Sequence, residues 1–400
     1  MNETRRRRLV TLLLAMGCIY LVLLTTPAYF RVHKASWNDG TFKVPAEEST
    51  FTIVQFADLH YGEHESSDTK STRVMQGVLK DESATDLVVF SGDQVSGYVI
   101  ENPRDTLRKW TESMQAVNAL RIPFVSIFGN HDDQALHTGH TIQYHCAQGL
   151  LVAGVACSLV LAYRRDVAGM KQALIVCVFT LGLVIGFAPT NVMRRSLLHY
   201  EHASFGQLSL SREGCDGLYG LSNYFLRVRH AKQTVLVFLL DSGGGRLEET
   251  YTDRQIQWVQ SVTRDEPAVG IAFGHIPPED FRSALFDSAR FSCIGFNHTE
   301  PVIPAAQESL PLMEELGKAG IKALFSGHDH RDSYCCVAKQ GVENRPAMCY
   351  GRHTGYGGYG DWMRGARVIR LDFSAGMPAI WTWLRMEDGT QRELVRLLPV

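Results

Sequence analysis

The chain reads as an α/β domain, and three features of the sequence carry that reading. From Phe51 onward short apolar runs recur and end in glycine turns, helical stretches lie between several of them, and polar residues cluster just past the run ends. Short apolar runs bounded by turns are the pattern of buried strands, and interleaved helices cover the faces of largely buried sheets. Open α/β sheets gather ligands beyond their strand ends, so the third feature also locates the chemistry.

Taken in order, the predicted strands cover 51–57, 87–90, 124–128, 234–240, 269–273 and 322–325. Helical periodicity lies between several of them, for example over 105–119 and 253–263. There is no internal repeat and no low-complexity tract. With 45% hydrophobic and 20% charged residues in 400, the chain is neither disordered nor fibrous. A formal net charge of -2 argues against a general phosphate-backbone binder, so no nucleic acid is expected as a partner. Nine cysteines are too few for a disulfide scaffold, and none has zinc-ribbon spacing.

Ahead of the domain, Arg5–Arg8 precede an apolar run from Leu9 to about Phe30, with 31–50 as a linker to the catalytic part at 51–400. About 22 helical residues reach ~33 Å, enough to cross a bilayer. The arginines then stay in the cytosol and the rest of the chain lies across the membrane. The rival reading is a cleaved signal peptide, with Thr26 and Ala28 at -3 and -1 before Tyr29. Both place the catalytic part in the secretory lumen or outside the cell, a compartment that agrees with the Asn297-His298-Thr299 sequon.

One segment, at about 136–193, interrupts the α/β pattern. It holds two nearly uninterrupted apolar runs, 149–163 and 173–189, with Arg164, Arg165 and Lys171 between them. It reads as a membrane hairpin with a basic cytosolic loop, as a pair of buried helices, or as a foreign insertion such as translated intron.

Five clusters follow strand-like runs: Asp58-Leu59-His60, Gly92-Asp93-Gln94, Gly129-Asn130-His131-Asp132, Gly274-His275-Ile276-Pro277 and Gly327-His328-Asp329-His330. Aspartate oxygens, an asparagine carbonyl and imidazoles form a mixed O/N set suited to Fe, Mn or Zn. Asp58 and His60 project to one side if the backbone stays extended, and His328 and His330 repeat the device. Any one cluster alone is an ordinary polar loop. All five in this order are not.

With these residues the chain resembles the metallophosphoesterase, or calcineurin-like phosphoesterase, superfamily, whose series is D-x-H, G-D, G-N-H-[DE], G-H and G-H-x-H. The resemblance runs from about Phe51 to Phe373, with the apolar segment as an interruption. It is closest to the purple-acid-phosphatase-like branch of fungi and plants, through Gly274-His275-Ile276-Pro277-Pro278-Glu279, through Gly327–His330 followed by Cys335-Cys336, and through CYGRHTGYGGYGDWMRGAR from Cys349 to Arg367. It implies a four-layer α/β/β/α sandwich with two mixed sheets and a centre of two divalent or trivalent transition-metal ions. Asp58, His60, Asp93 and His330 would hold the first ion, and Asp93 would bridge to a second completed by Asn130, His275 and His328. His131 would face the substrate as general acid. Read from the residues alone, Asp132 either orients His131 or only caps a helix. True purple acid phosphatases carry a tyrosine ligand where this chain has Ser96, so the iron–tyrosinate colour is not expected.

The glycine-rich stretch 351–360 lacks the lysine and helix of a phosphate loop. It reads either as a loop beside the metals, with Arg352 and His353 contacting phosphate, or as a tight turn packed by Tyr356, Tyr359 and Trp362. Cys335, Cys336 and Cys349 are either further metal ligands or, as an oxidising lumen favours, disulfide partners. The expected function is hydrolysis of phosphomonoesters on small molecules or proteins, by in-line attack of a hydroxide shared by two ions. A phosphodiesterase with the same site, or an inactive binding protein with this fold, are the alternatives.

Overall fold

The computed structural model describes residues 40–397 apart from 46, 101–102, 135–145, 147–148, 159, 161–166, 187–191 and 296–299. The expected N-terminal span and the Asn297 sequon lie outside the described residues.

Two mixed sheets form the frame. The larger runs, in spatial order, β1 (Thr41–Lys43), β5 (Tyr224–His230), β6 (Gln233–Leu240), β8 (Val269–Gly274), β11 (Ile321–Ser326), β13 (Ala347–Tyr350), β12 (Cys335–Ala338) and β9 (Phe291–Ile294). Its β6-β8-β11-β13 run is parallel, whereas β5, β12 and β9 join by antiparallel pairing. The second sheet runs β16 (Gln391–Arg396), β15 (Ala379–Met386), β14 (Gly365–Asp372), β2 (Thr50–Phe56), β3 (Leu87–Ser91) and β4 (Phe124–Ile127). Within it β2-β3-β4 is parallel and the rest antiparallel. A two-stranded pair, β7 (Thr250–Tyr251) and β10 (Ala306–Gln307), lies apart.

The side-chain alternation of each strand builds the layers. Phe51, Ile53, Val89 and Val125 point inward and meet Val228, Val237, Ile271 and Phe325 of the larger sheet. Val54, Phe56 and Phe90 point outward to α1 (Glu65–Asp81), α2 (Pro103–Ser113), α3 (Gln115–Ala119) and α5 (Arg194–Phe205), through Val74, Trp110, Val117 and Leu197. On the far side Leu236, Phe238 and Leu324 pack on α6 (Asp253–Asp265), α7 (Asp280–Phe286) and α8 (Leu312–Lys318), through Ile256, Phe281 and Leu316. The result is the four-layer α/β/β/α sandwich. Both faces of the central strands are covered, which is why they read as continuous apolar runs. Each such side chain contributes about 1.5–3 kcal/mol by leaving water.

The six predicted strands agree with β2, β3, β4, β6, β8 and β11 to within a residue at each end. The predicted helix over 105–119 is two helices that meet at the fully buried Met114. α6 starts where Thr252 and Gln255 form a reciprocal capping box.

The apolar insertion is helical over 149–158 and again over α4 (Val167–Gly186). The two stretches touch: Ser158 Oγ lies 3.7 Å from Cys177 Sγ. Val152, Ile175, Val178 and Phe179 are each more than 60% exposed, and among the described residues no other layer covers these faces, which speaks against the reading as a buried helix pair. Among the described residues no helix is long and apolar enough to cross a membrane.

Candidate metal centre

All five motif clusters sit at the C-terminal ends of parallel strands. Asp58 and His60 follow β2, Asp93 follows β3, and Asn130 and His131 follow β4, while His275 follows β8 and His328 and His330 follow β11. Because the two sheets are stacked face to face, five strand ends converge on one place.

The local backbone differs from the extended one expected. Asp58, His60, Asp93 and His328 have φ of 57°, 50°, 54° and 77°, four of the eight described non-glycine residues with positive φ. Left-handed backbone costs such residues about 1–3 kcal/mol and collects at functional sites. Here hydrogen bonds impose it: Asp58 N donates to the Gly92 carbonyl at 3.2 Å and His60 N to the Asp93 carbonyl at 3.0 Å. Gly92 itself has φ 101°, and a Cβ there would lie 2.4 Å from His275 Nδ1. The turn therefore needs glycine for both its backbone and its neighbour.

The donor atoms form two overlapping sets. In the first, His60 Nε2 is 3.0 Å from His330 Nε2 and 3.6 Å from Asp93 Oδ2, and His330 Nε2 is 3.9 Å from Asp58 Oδ1. In the second, His275 Nε2 is 3.2 Å from Asp93 Oδ2 and 3.1 Å from Asn130 Oδ1, which lies 3.0 Å from His328 Nδ1. Asp93 Oδ2 belongs to both. Metal–nitrogen bonds of ~2.1 Å put neighbouring donors on one ion about 3.0–3.5 Å apart; four of these six distances fall in that range, and those of 3.6 and 3.9 Å lie just beyond it.

Electrostatics point the same way. Asp58 and Asp93 are both 1% exposed. Burial, with the Asp93 charge adding to it, pushes Asp58 up to about 7. Burial pushes His60 down to about 4 and His328 down to about 3. His275, which burial alone would lower, is raised to about 10 by the Asp93 carboxylate. His60 and His328 are thus neutral and able to ligate, a cation beside Asp93 would take the place of the His275 proton, and the donor set suits a transition metal.

His131 stands at the edge of this cluster with its side chain 28% exposed and Nε2 3.9 Å from Asp93 Oδ2. Its backbone N donates to Asp93 Oδ1 at 2.8 Å. The partner that the sequence suggested for its ring is corrected. Asp132 is fully buried and accepts from the backbone N of Asp93, Val95 and Gly129 at 3.0, 3.1 and 2.7 Å, so it shapes the loops. His131 Nδ1 is held instead by Gln134 Oε1 at 2.5 Å. The three-residue spacing from His131 to Gln134 is the one signal in the sequence for this partner.

Arg352 and His353, expected to contact phosphate, are engaged within the fold. The Arg352 guanidinium donates to the Met363 carbonyl at 2.6 and 3.0 Å and to the Arg331 carbonyl at 3.4 Å. His353 is 1% exposed, and its ring lies behind His330 with centroids 4.0 Å apart. Their loop does lie beside the centre. A Cβ at Gly358, φ 72°, would come within 2.5 Å of His330 Cε1, so only glycine lets the loop approach. Tyr359 then stacks on the His330 ring at 4.1 Å.

The centre is intact although the insertion leaves the chain just after Gln134. At its far end Arg194 donates to Asp133 Oδ1 (3.2 Å), Asp241 Oδ1 (2.6 Å) and the carbonyls of Gly129, Gly243 and Gly244 (3.0, 3.0 and 2.9 Å). One buried guanidinium thus ties both ends of the insertion to the loop that carries Asn130 and His131. The cysteines form disulfides, Cys335–Cys349 and Cys293–Cys336, joining β12 to both neighbouring strands at directly opposed positions.

Over residues 51–332, more than half of its length, the chain matches the family model described as Calcineurin-like phosphoesterase. It is 26% identical, over 97% of its own length and 94% of the other's, to the Arabidopsis thaliana protein named "Probable inactive purple acid phosphatase 29". To the Saccharomyces cerevisiae protein named "Phosphatase DCR2" it is 24% identical, over 87% of its own length and 55% of the other's. Among solved structures it is similar to purple acid phosphatase PPD1 from yellow lupin seeds, with a TM-score of 0.45, 12% identity, and 88% of this chain and 54% of that one covered.

Proposed function

The chain belongs to the calcineurin-like phosphoesterase family, and from that premise we propose that it is a metal-dependent phosphatase hydrolysing phosphomonoesters of small molecules or proteins. The observation that carries the proposal is the sharing of Asp93 Oδ2 between two donor sets, with Asp58, His60 and His330 on one side and Asn130, His275 and His328 on the other. Two iron, manganese or zinc ions, when bound, acidify a water and neutralise phosphoryl oxygens. The chain's own residues do the rest. Asp93 fixes the spacing of the two sets, and its second oxygen takes the His131 backbone N–H. Gln134 holds His131 Nδ1, which leaves Nε2 to carry a proton to the departing ester oxygen.

The relative's "probable inactive" name is said of that protein, and it favours a second reading in which this chain is a binding protein with the same fold. The complete ligand set and the partly exposed His131 support activity. Assays of the full-length protein on an aryl phosphate monoester and diester separate the readings. Faster turnover of the monoester supports the phosphatase, faster turnover of the diester a phosphodiesterase, and none of either the binding protein.

We further propose an extracytoplasmic site with an N-terminal anchor. The tetra-arginine flank with its apolar run supports the anchor, and the two disulfides support an oxidising compartment. Release of the full-length protein by alkaline carbonate would refute the anchor.

A further inference from the structure

The four histidines of the two donor sets have unequal support behind them. His275 Nδ1 faces the Ser91 carbonyl at 2.9 Å, His330 Nδ1 lies 3.5 Å from the Tyr359 carbonyl, and His328 Nε2 is buried with no hydrogen-bond partner. His60 differs. Its Nδ1 is 2.9 Å from Ser96 Oγ, and Ser96 Oγ donates to Glu63 Oε1 at 2.7 Å. Ser96 is fully buried, and Glu63 is pinned from both sides: Tyr98 OH donates to Oε1 at 2.9 Å and Gly358 N to Oε2 at 2.9 Å.

The proton count along this chain is fixed. A serine hydroxyl has one hydrogen, and here it goes to the carboxylate, so Ser96 can only accept from His60. His60 therefore carries its proton on Nδ1 and keeps the lone pair on Nε2, the atom that faces His330 and Asp93. A carboxylate behind an imidazole also makes its free nitrogen a stronger donor.

We propose that Glu63, acting through Ser96, is a positioning residue that locks His60 in the ligating tautomer and strengthens cation binding at the first donor set. The proposal rests on the two-ion reading above. It also accounts for Ser96, which stands where true purple acid phosphatases have a tyrosine ligand: the serine hydroxyl supports a ligand instead of being one. The same network joins the two sides of the centre, because the Tyr98 ring that Glu63 holds lies 4.9 Å from the His131 ring.

The test is a Zn2+ titration of the full-length protein against a chromophoric chelator, for wild type, Ser96→Ala, Glu63→Gln and the double variant. Each single variant is expected to weaken one of the two ions by about 10–100-fold, the usual effect of losing a partner behind a metal ligand. The double variant should be no weaker than Ser96→Ala, since without the hydroxyl the carboxylate has no route to His60. Glu63→Gln is isosteric, and thermal midpoints of the metal-free proteins identify any loss of fold. Two wild-type ions with affinities unchanged in both single variants would overturn this proposal alone, as would losses that multiply in the double variant. A wild type that binds no zinc would overturn the two-ion reading, and this proposal with it.

Discussion

Replacing Arg194 with methionine tests how the centre survives a long insertion. The guanidinium is buried against Asp133 and Asp241, both at most 5% exposed, so water does not screen the pair. Breaking one side of a buried ion pair costs about 3–5 kcal/mol. Asp241 keeps four other donors, Leu221 N, Ser222 N, Ser222 Oγ and Gly243 N, which places the loss near the lower end, about 3 kcal/mol. At ~2.1 cal/mol/K per residue, roughly 330 described residues give ~0.7 kcal/mol/K, so the melting temperature should fall by about 4 °C. Asn130 sits on the loop that Arg194 ties down, so zinc affinity at the second donor set should fall as well, on the order of 10-fold. Burial alone would raise the Asp241 carboxyl, but Arg194 and three backbone N–H groups hold it below its usual value. A depressed carboxyl stabilises the fold above its unfolded pKa, ~3.8, and loses that contribution as pH falls through the folded value. The gap between wild type and Arg194→Met should therefore narrow below about pH 4. Thermal unfolding from pH 8 to 3, with and without zinc, reads all three effects. A midpoint within 1 °C of wild type, or an equal loss in Arg194→Lys, which keeps the charge, would refute the reasoning.

His131→Ala should lower kcat by about 10²–10⁴-fold while two ions remain bound, because the backbone bond to Asp93 persists; elemental analysis beside steady-state kinetics checks it. An alkyl phosphate should suffer more than an aryl phosphate with a good leaving group, and an equal effect would remove the acid role. Asp93→Ala should lose both ions and activity together, since it deletes the shared oxygen. Alkylation of the native, unreduced protein should spare Cys293, Cys335, Cys336 and Cys349 and label Cys146, Cys157 and Cys215, as mass mapping would show.

The ligand residues were legible because each follows an apolar run directly, so the strand that ends there also delivers the side chain. What supports them was not. Glu63 and Ser96 belong to different strand-end loops and meet only because β2 and β3 are adjacent. Arg194 reaches Gly129 from 65 residues away, across the insertion, and nothing local to either marks the pair. The same limit misassigned Asp132, whose neighbour in sequence is His131 but whose carboxylate faces backbone on β3's loop. Arg352 looked like a phosphate contact because its loop lies beside the centre, yet its guanidinium is taken by the Met363 and Arg331 carbonyls. Chain periodicity reports which faces are buried; it does not report which polar groups a buried loop must satisfy.

Whether the centre serves cations or only survives as part of the fold has a thermodynamic answer. His328 combines a left-handed backbone, φ 77°, with a buried ring nitrogen that has no partner. The first costs about 1–2 kcal/mol and the second, at Nε2 and not at the Nδ1 of the donor set, about 1–3 kcal/mol whether or not an ion is bound. Asparagine tolerates the same backbone and brings no imidazole. Metal-free His328→Asn should therefore be at least as stable as metal-free wild type, even though a buried side chain has been shortened. Saturating zinc should reverse the order, because a ligand that binds only the folded state stabilises it by its own affinity, and the variant has lost a donor. Paired thermal midpoints with chelator and with zinc read this crossover. A residue kept for packing would give the opposite result, a metal-free variant several degrees less stable and no change of order with zinc, and the ligand role of His328 would then be lost.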